Sequence, residues 1–98
     1  MQLVTVVKVG AARRIPQSRI WIEGRRLIDA GFAHGTRYNV EWHDTGATLT
    51  LSPAGARKVA GTIDRPIIDI TGASVRALGV DRVTIVYTAQ KIKIERCE

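Results

Sequence analysis

The chain has 98 residues, 45% of them hydrophobic and 24% charged, with 15 lysines and arginines against 9 acidic residues and a net charge of +6. That length gives one compact domain whose folding buries roughly two thirds of the unfolded surface, and the apolar content excludes a disordered chain. Cys97 is the one cysteine, Met1 to Val9 lacks the form of a signal peptide, and no apolar run approaches the roughly 18 residues that cross a bilayer. A disulfide framework, a Cys/His zinc site and a membrane partner are thereby set aside, and the cytoplasm is the expected compartment.

Leu3 to Val9 is rich in β-branched residues at both alternating sets of positions, which predicts a strand buried on much of both faces. Gly10 to Gln17, broken by Gly10 and Pro16, reads as a loop. Ser18 to Glu23 is a strand, Gly24 a change of direction, and Arg25 to Ala30 a helix of under two turns that only packing can hold. Gly31 suits the left-handed residue that closes a helix, with Phe32 folding back as its apolar contact. Thr36 to His43 and Ala47 to Ser52 read as strands joined by a hairpin turn at Asp44-Thr45-Gly46. Pro53 to Gly61 is the least patterned segment and reads as a linker or a loose helical turn. Ile63 to Thr71 is a strand in which Pro66 marks an edge or a start. Ser74 to Leu78 is a second short helix closed by Gly79, and Arg82 to Thr88 with Lys91 to Glu95 form a hairpin across Ala89-Gln90.

Set side by side, these elements form an internal repeat. Placing Gly24 on Gly72 puts Ile20 on Ile68, Ile22 on Ile70, Leu27 on Val75, Ala30 on Leu78, Gly31 on Gly79 and Phe32 on Val80. Tyr38, Val40 and Trp42 then match Val83, Ile85 and Tyr87, and Leu49 and Leu51 match Ile92 and Ile94. The second copy is shorter at the helix exit and at the hairpin turn. The expected fold is mainly β with short helices, a single domain of two repeats over about 1–52 and 63–95 joined by residues 53–62. A lone strand-helix-hairpin unit leaves its apolar face uncovered, so the two halves are expected to pair about a two-fold axis as a pseudo-dimer. Open strand edges also leave room for a true homodimer.

Eleven of the 15 basic residues are arginine, whose planar fork binds phosphate bidentately and stacks on bases. Clustered in so small a domain, they favour a polyanionic partner over a merely solvated basic surface. Arg13, Arg14 and Arg19 surround Pro16, Arg25 and Arg26 open the first helix, and Arg57 with Lys58 lie in the linker. Trp21 is out of phase with Ile20 and Ile22, so it is expected on the outer face, able to stack on a base or to cover a pairing interface. Trp42 and Tyr87 fall in phase with Val40 and Ile85 and are expected in the core.

Catalytic arrangements are scarce. His34 and His43 are the two histidines; His43 with Asp44 could do general acid-base work on RNA, but turn residues exposed to solvent account for them better. Asp29, Asp64, Asp69 and Asp81 sit at element ends, where caps and ion pairs explain them. Gly31 and Gly35 are not followed by the Gly-Lys-Ser/Thr of a phosphate loop. Neither catalysis, a metal nor a cofactor is expected.

The run Gly24-x-x-Leu27-x-x-Ala30-Gly31-Phe32-x-x-Gly35, with Ile20 to Ile22 before it and Tyr38-x-Val40 after, resembles the SymE-like toxin family of the AbrB/SpoVT swapped-hairpin superfold. The likeness covers residues 2–52, including Arg13, Arg14 and Pro16 upstream, and extends by internal repetition to 63–95. Where that family carries a basic residue and then Trp after the glycine, this chain has Arg25 and Arg26. The resemblance implies tandem swapped-hairpin half-units forming a pseudo-dimeric small barrel. It also implies nucleic-acid binding, DNA ahead of RNA, as a regulator or in a toxin-antitoxin setting. An RNA-associated toxin is the alternative within the family. A third reading is an anti-CRISPR-like inhibitor from a phage or mobile element, whose partner is an acidic protein or a defence ribonucleoprotein.

Overall fold

A computed structural model describes residues 3–8, 10–11, 18–80 and 82–96, with side chains for 19–80 and 82–96. The loop bearing Arg13, Arg14 and Pro16, and also Asp81 and Cys97, lie outside the described residues.

Period-two alternation writes most of the chain as strand. β1 (Leu3–Lys8), β2 (Gly10–Ala11) and β3 (Ser18–Glu23) lead to the short helix α1 (Arg25–Asp29) and the hairpin β4 (Arg37–His43) and β5 (Gly46–Leu51). β6 (Arg57–Lys58), β7 (Ala60–Gly61) and β8 (Pro66–Thr71) follow, then α2 (Ala73–Ala77) and the hairpin β9 (Arg82–Thr88) and β10 (Lys91–Arg96). All pairings are antiparallel, in a six-stranded sheet of order β1-β9-β10-β5-β4-β6 and a four-stranded sheet of order β2-β3-β8-β7. Among the described residues no strand pairing joins the two sheets into a closed ring. The chain turns from one sheet to the other between β6 and β7, where Val59 is buried.

One apolar core joins both sheets and both helices. Ile20, Ile22, Ile68 and Ile70 come from the four-stranded sheet, Tyr38, Leu49, Ile85, Ile92 and Ile94 from the six-stranded one, and Leu27 and Val75 from the helices. Phe32 is fully buried and meets Tyr38 edge to face, with centroids 5.9 Å apart and planes at 64°, the geometry that aromatic quadrupoles favour. A five-residue helix has no independent stability, so Leu27 and Val75 hold α1 and α2 in place. Both helices start after a glycine of the same unusual shape, Gly24 at φ 101°, ψ −164° and Gly72 at φ 115°, ψ −164°.

The close of α1 follows the expectation. Gly31 has φ +92°; its N–H donates to the Ile28 carbonyl, and the Phe32 N–H donates to the Leu27 carbonyl at 2.7 Å. These two bonds are the paired closure of a helix by a left-handed residue.

Several expectations need correction. Gly10-Ala11 is not loop but β2, paired with Ser18 and Arg19 of β3. The linker 53–62 is largely structured, since β6 and β7 lie within it and pair with β4 and β8. β8 begins at Pro66 rather than Ile63, because Thr62 and Arg65 exchange backbone hydrogen bonds and fold Ile63-Asp64 into a turn. Gly46 belongs to β5 rather than to the turn, paired with His43 and Glu95. The two hairpin turns are of equal length, Asp44-Thr45 and Ala89-Gln90, so matching the hairpins sets Ala47 and Leu49, rather than Leu49 and Leu51, against Ile92 and Ile94. Trp42 is half-buried rather than core, lying near the end of β4 against a cleft shared with Ser74 and Leu78.

Candidate nucleic-acid interface

The described residues of the expected site fall on three elements, β3, α1 and β6. Arg19 and Trp21 lie on the outer face of the four-stranded sheet, because Ile20 and Ile22 take the inner one. Trp21 is 38% exposed, and the Arg19 Cζ sits 5.0 Å from its ring centroid. Arg19 is also committed to Asp69 of β8, with Nε 3.0 Å from Oδ1 and Nη2 donating to Oδ2 at 3.2 Å. The fork is thus paired with a carboxylate while it lies over the indole, a cation–π arrangement.

Arg25 and Arg26 are exposed at the start of α1. Arg25 reaches Asp29 one turn on, Nε to Oδ1 3.7 Å, an exposed pair worth at most a few tenths of a kcal/mol and readily exchanged for a phosphate. Arg26 has no partner among the described residues.

The third group stands at one end of the six-stranded sheet. Arg57 and Lys58 make up β6, opposite Tyr38 and Arg37 respectively. Burial pushes the Tyr38 hydroxyl above its ordinary value, and the positive charge of Arg57 pulls it part of the way back. Lys58 and Arg37 face each other with like charge. Arg37 is steadied by donating from Nη1 to the Gly55 carbonyl at 3.2 Å, and the turn that carries Gly55 is itself tied down by the Ala56 N–H to Asn39 Oδ1. Lys91 lies in the next row of the same outer face, through the register Asn39, Thr50, Lys91.

Arg37 stands alone in the sequence, and Lys91 and Lys93 alternate with Ile92 and Ile94, so neither forms a contiguous basic run. Phase was the signal available: Arg37 precedes Tyr38 and Lys91 precedes Ile92, so both point away from the core. The four-residue likeness of Lys8-Val9-Gly10-Ala11 to Lys58-Val59-Ala60-Gly61 would have flagged β6 and β7.

His43 Nε2 lies 3.0 Å from Thr48 Oγ1, and His34 is exposed in the loop after α1. Among the described residues no three His, Cys, Asp or Glu side chains converge as a metal site, and no helix is long and apolar enough to cross a membrane. Comparison with protein families, with curated proteins and with solved structures gives no match for this chain.

Proposed function

We propose that this protein binds nucleic acid, duplex DNA ahead of RNA, as two fused half-units of the AbrB/SpoVT swapped-hairpin type, SymE-like in the first half. On this reading it is a regulator, or part of a toxin-antitoxin-related locus, acting in the cytoplasm. The observation that carries the binding claim is a pair of opposed cations at each end of the six-stranded sheet. Arg37 stands opposite Lys58 in one ladder, and Arg82 stands opposite Lys8 in the other. Like charges placed directly across a ladder oppose folding. Two such pairs in one small domain are accounted for by a polyanion that neutralises them.

Support for fused halves comes from the pairing itself. Exchanging β1, β2, β3, β4 and β5 with β6, β7, β8, β9 and β10 leaves both strand orders unchanged when read backwards. The two inter-half ladders are each centred on residues that the exchange swaps, Trp21 opposite Asp69 and Thr48 opposite Lys93. The first strand of each half pairs with the hairpin of the other, β1 with β9 and β6 with β4. The two opposed-cation pairs are then one feature occurring twice.

A tagged pull-down from cells, with and without nuclease, tests the reading, followed by gel shifts on duplex DNA and single-stranded RNA. Nucleic acid in the untreated eluate and a duplex shift at low salt are expected. A protein partner that survives nuclease, with no shift on either nucleic acid, contradicts it and favours an inhibitor of a protein complex.

A further inference from the structure

Beside the Arg37 corner lies an open cleft of about 330 Å³, lined by Thr36, Arg37, Leu51, Ser52, Pro53 and Gln90. It forms where the start of β4, the end of β5 and the β9–β10 turn converge. Four of its backbone donors are already spent. The Thr36 N–H donates to the Ala33 carbonyl, Leu51 to Gln90, Ser52 to Arg37 and Gln90 to Ala30, while Pro53 has no N–H to give. Recognition in the cleft therefore falls mainly to side chains.

Those side chains are of one kind. The hydroxyls of Thr36 and Ser52 and the carboxamide of Gln90 have no hydrogen-bond partner among the described residues, and Arg37 uses one guanidinium N–H of its five on Gly55. No carboxylate lines the space, and Lys58 and Lys91 flank it on the same sheet face. Gln90 is also the one non-glycine residue among those described with positive φ, +67°, a conformation that side-chain-bearing residues seldom adopt and that is enriched where a site demands it.

We propose that this cleft binds a phosphate group, with the Arg37 fork as the charged anchor and Thr36, Ser52 and Gln90 as neutral donors. Arginine matches two oxygens of a phosphate at once, and hydroxyl and amide donors satisfy the rest. The carrier of the phosphate, a nucleic-acid backbone, rests on the function proposed above; the oxyanion chemistry of the cleft does not.

The test uses the full chain, isotope-labelled for NMR, titrated separately with inorganic phosphate and with a short DNA duplex. Saturable shifts of the Thr36, Ser52 and Gln90 amides and of the Arg37 side chain are expected with both. Arg37→Gln should abolish the phosphate response and weaken duplex binding about tenfold, the scale of a lost charge-assisted hydrogen bond. Arg37→Lys, which keeps the charge and a donor for Gly55, should recover only part of it because the fork is gone. Duplex binding that leaves these amides silent and is unchanged in Arg37→Gln overturns the cleft while sparing the nucleic-acid reading. Saturable phosphate shifts with no duplex binding at low salt support the cleft and overturn that reading instead. Phosphate shifts spread over all basic residues without saturation overturn the cleft outright.

Discussion

At the scale of single residues, geometry and burial fix what each substitution does. A Cβ on Gly31 would meet Leu51 Cδ1 at 3.0 Å, and its φ of +92° is one that only glycine adopts without strain. Gly31→Val should therefore cost about 1–2 kcal/mol. Denaturant unfolding that shows the same midpoint as the parent chain contradicts this. Tyr38 supplies the pH dependence. Burial holds its hydroxyl above the ordinary 10.0, so the folded state binds that proton more tightly than the unfolded chain. Its contribution is complete below the unfolded value and is lost as pH rises through the folded one. Arg57→Ala removes the charge that moderates the shift, so ultraviolet titration of the phenol should move further up; a downward move contradicts the assignment. Gly31 was legible because a left-handed cap leaves a mark in sequence. Gly46 was not, because its need for glycine comes from the Ile94 carbonyl in another strand, which a Cβ would strike.

Between elements, the β3–β8 ladder is the informative junction. Arg19 and Asp69 bridge it beside Trp21, with side chains 29% and 32% exposed, so neither is fully hydrated nor fully sequestered. Asp69→Asn should cost on the order of 1 kcal/mol of stability, discounted for that exposure. It should also tighten duplex binding, since a freed fork and one less negative charge both favour a polyanion. Weaker binding in Asp69→Asn, measured by fluorescence anisotropy, would show that the ion pair itself rather than a free arginine meets the ligand. Strands and both helices were legible wherever alternation was long: β3, β4, β5, β9 and β10 lie within a residue or two of their expected bounds. β2, β6 and β7 were not, since two residues carry no period and form only because longer strands offer an edge. The ion pair was hidden for the same reason, as its members stand 50 positions apart in the chain.

For the whole molecule, β1 pairs with β9, β6 with β4 and β3 with β8, so on the fused-halves reading neither half is complete alone. A fragment ending at residue 52 loses the partner of β1 and the β8 neighbour of β3. It should fold only by pairing with a second copy, β1 against the partner's β4, so that sedimentation and circular dichroism both depend on concentration. A folded monomeric fragment contradicts the fused-halves reading. The like turns at Gly24 and Gly72 were legible with the isoleucines around them, whereas the pairing of β1 with β9 was not, because no local pattern states which hairpin a strand will join.

Charge on that frame decides the function, and the salt dependence of duplex binding by the full chain tests it most directly. Each phosphate neutralised contributes about −0.9 to the slope of log affinity against log salt. Arg25→Ala with Arg26→Ala should flatten the slope by about 1.8, if each arginine meets one phosphate, and weaken binding by roughly 1–3 kcal/mol with little change in thermal midpoint. Arg76→Ala, on a helix whose opening residues Ala73 and Ser74 are uncharged, should change both less. A steep slope that the Arg25, Arg26 change reduces is the result this account predicts. A slope near zero, or no binding to any duplex at low salt, contradicts it.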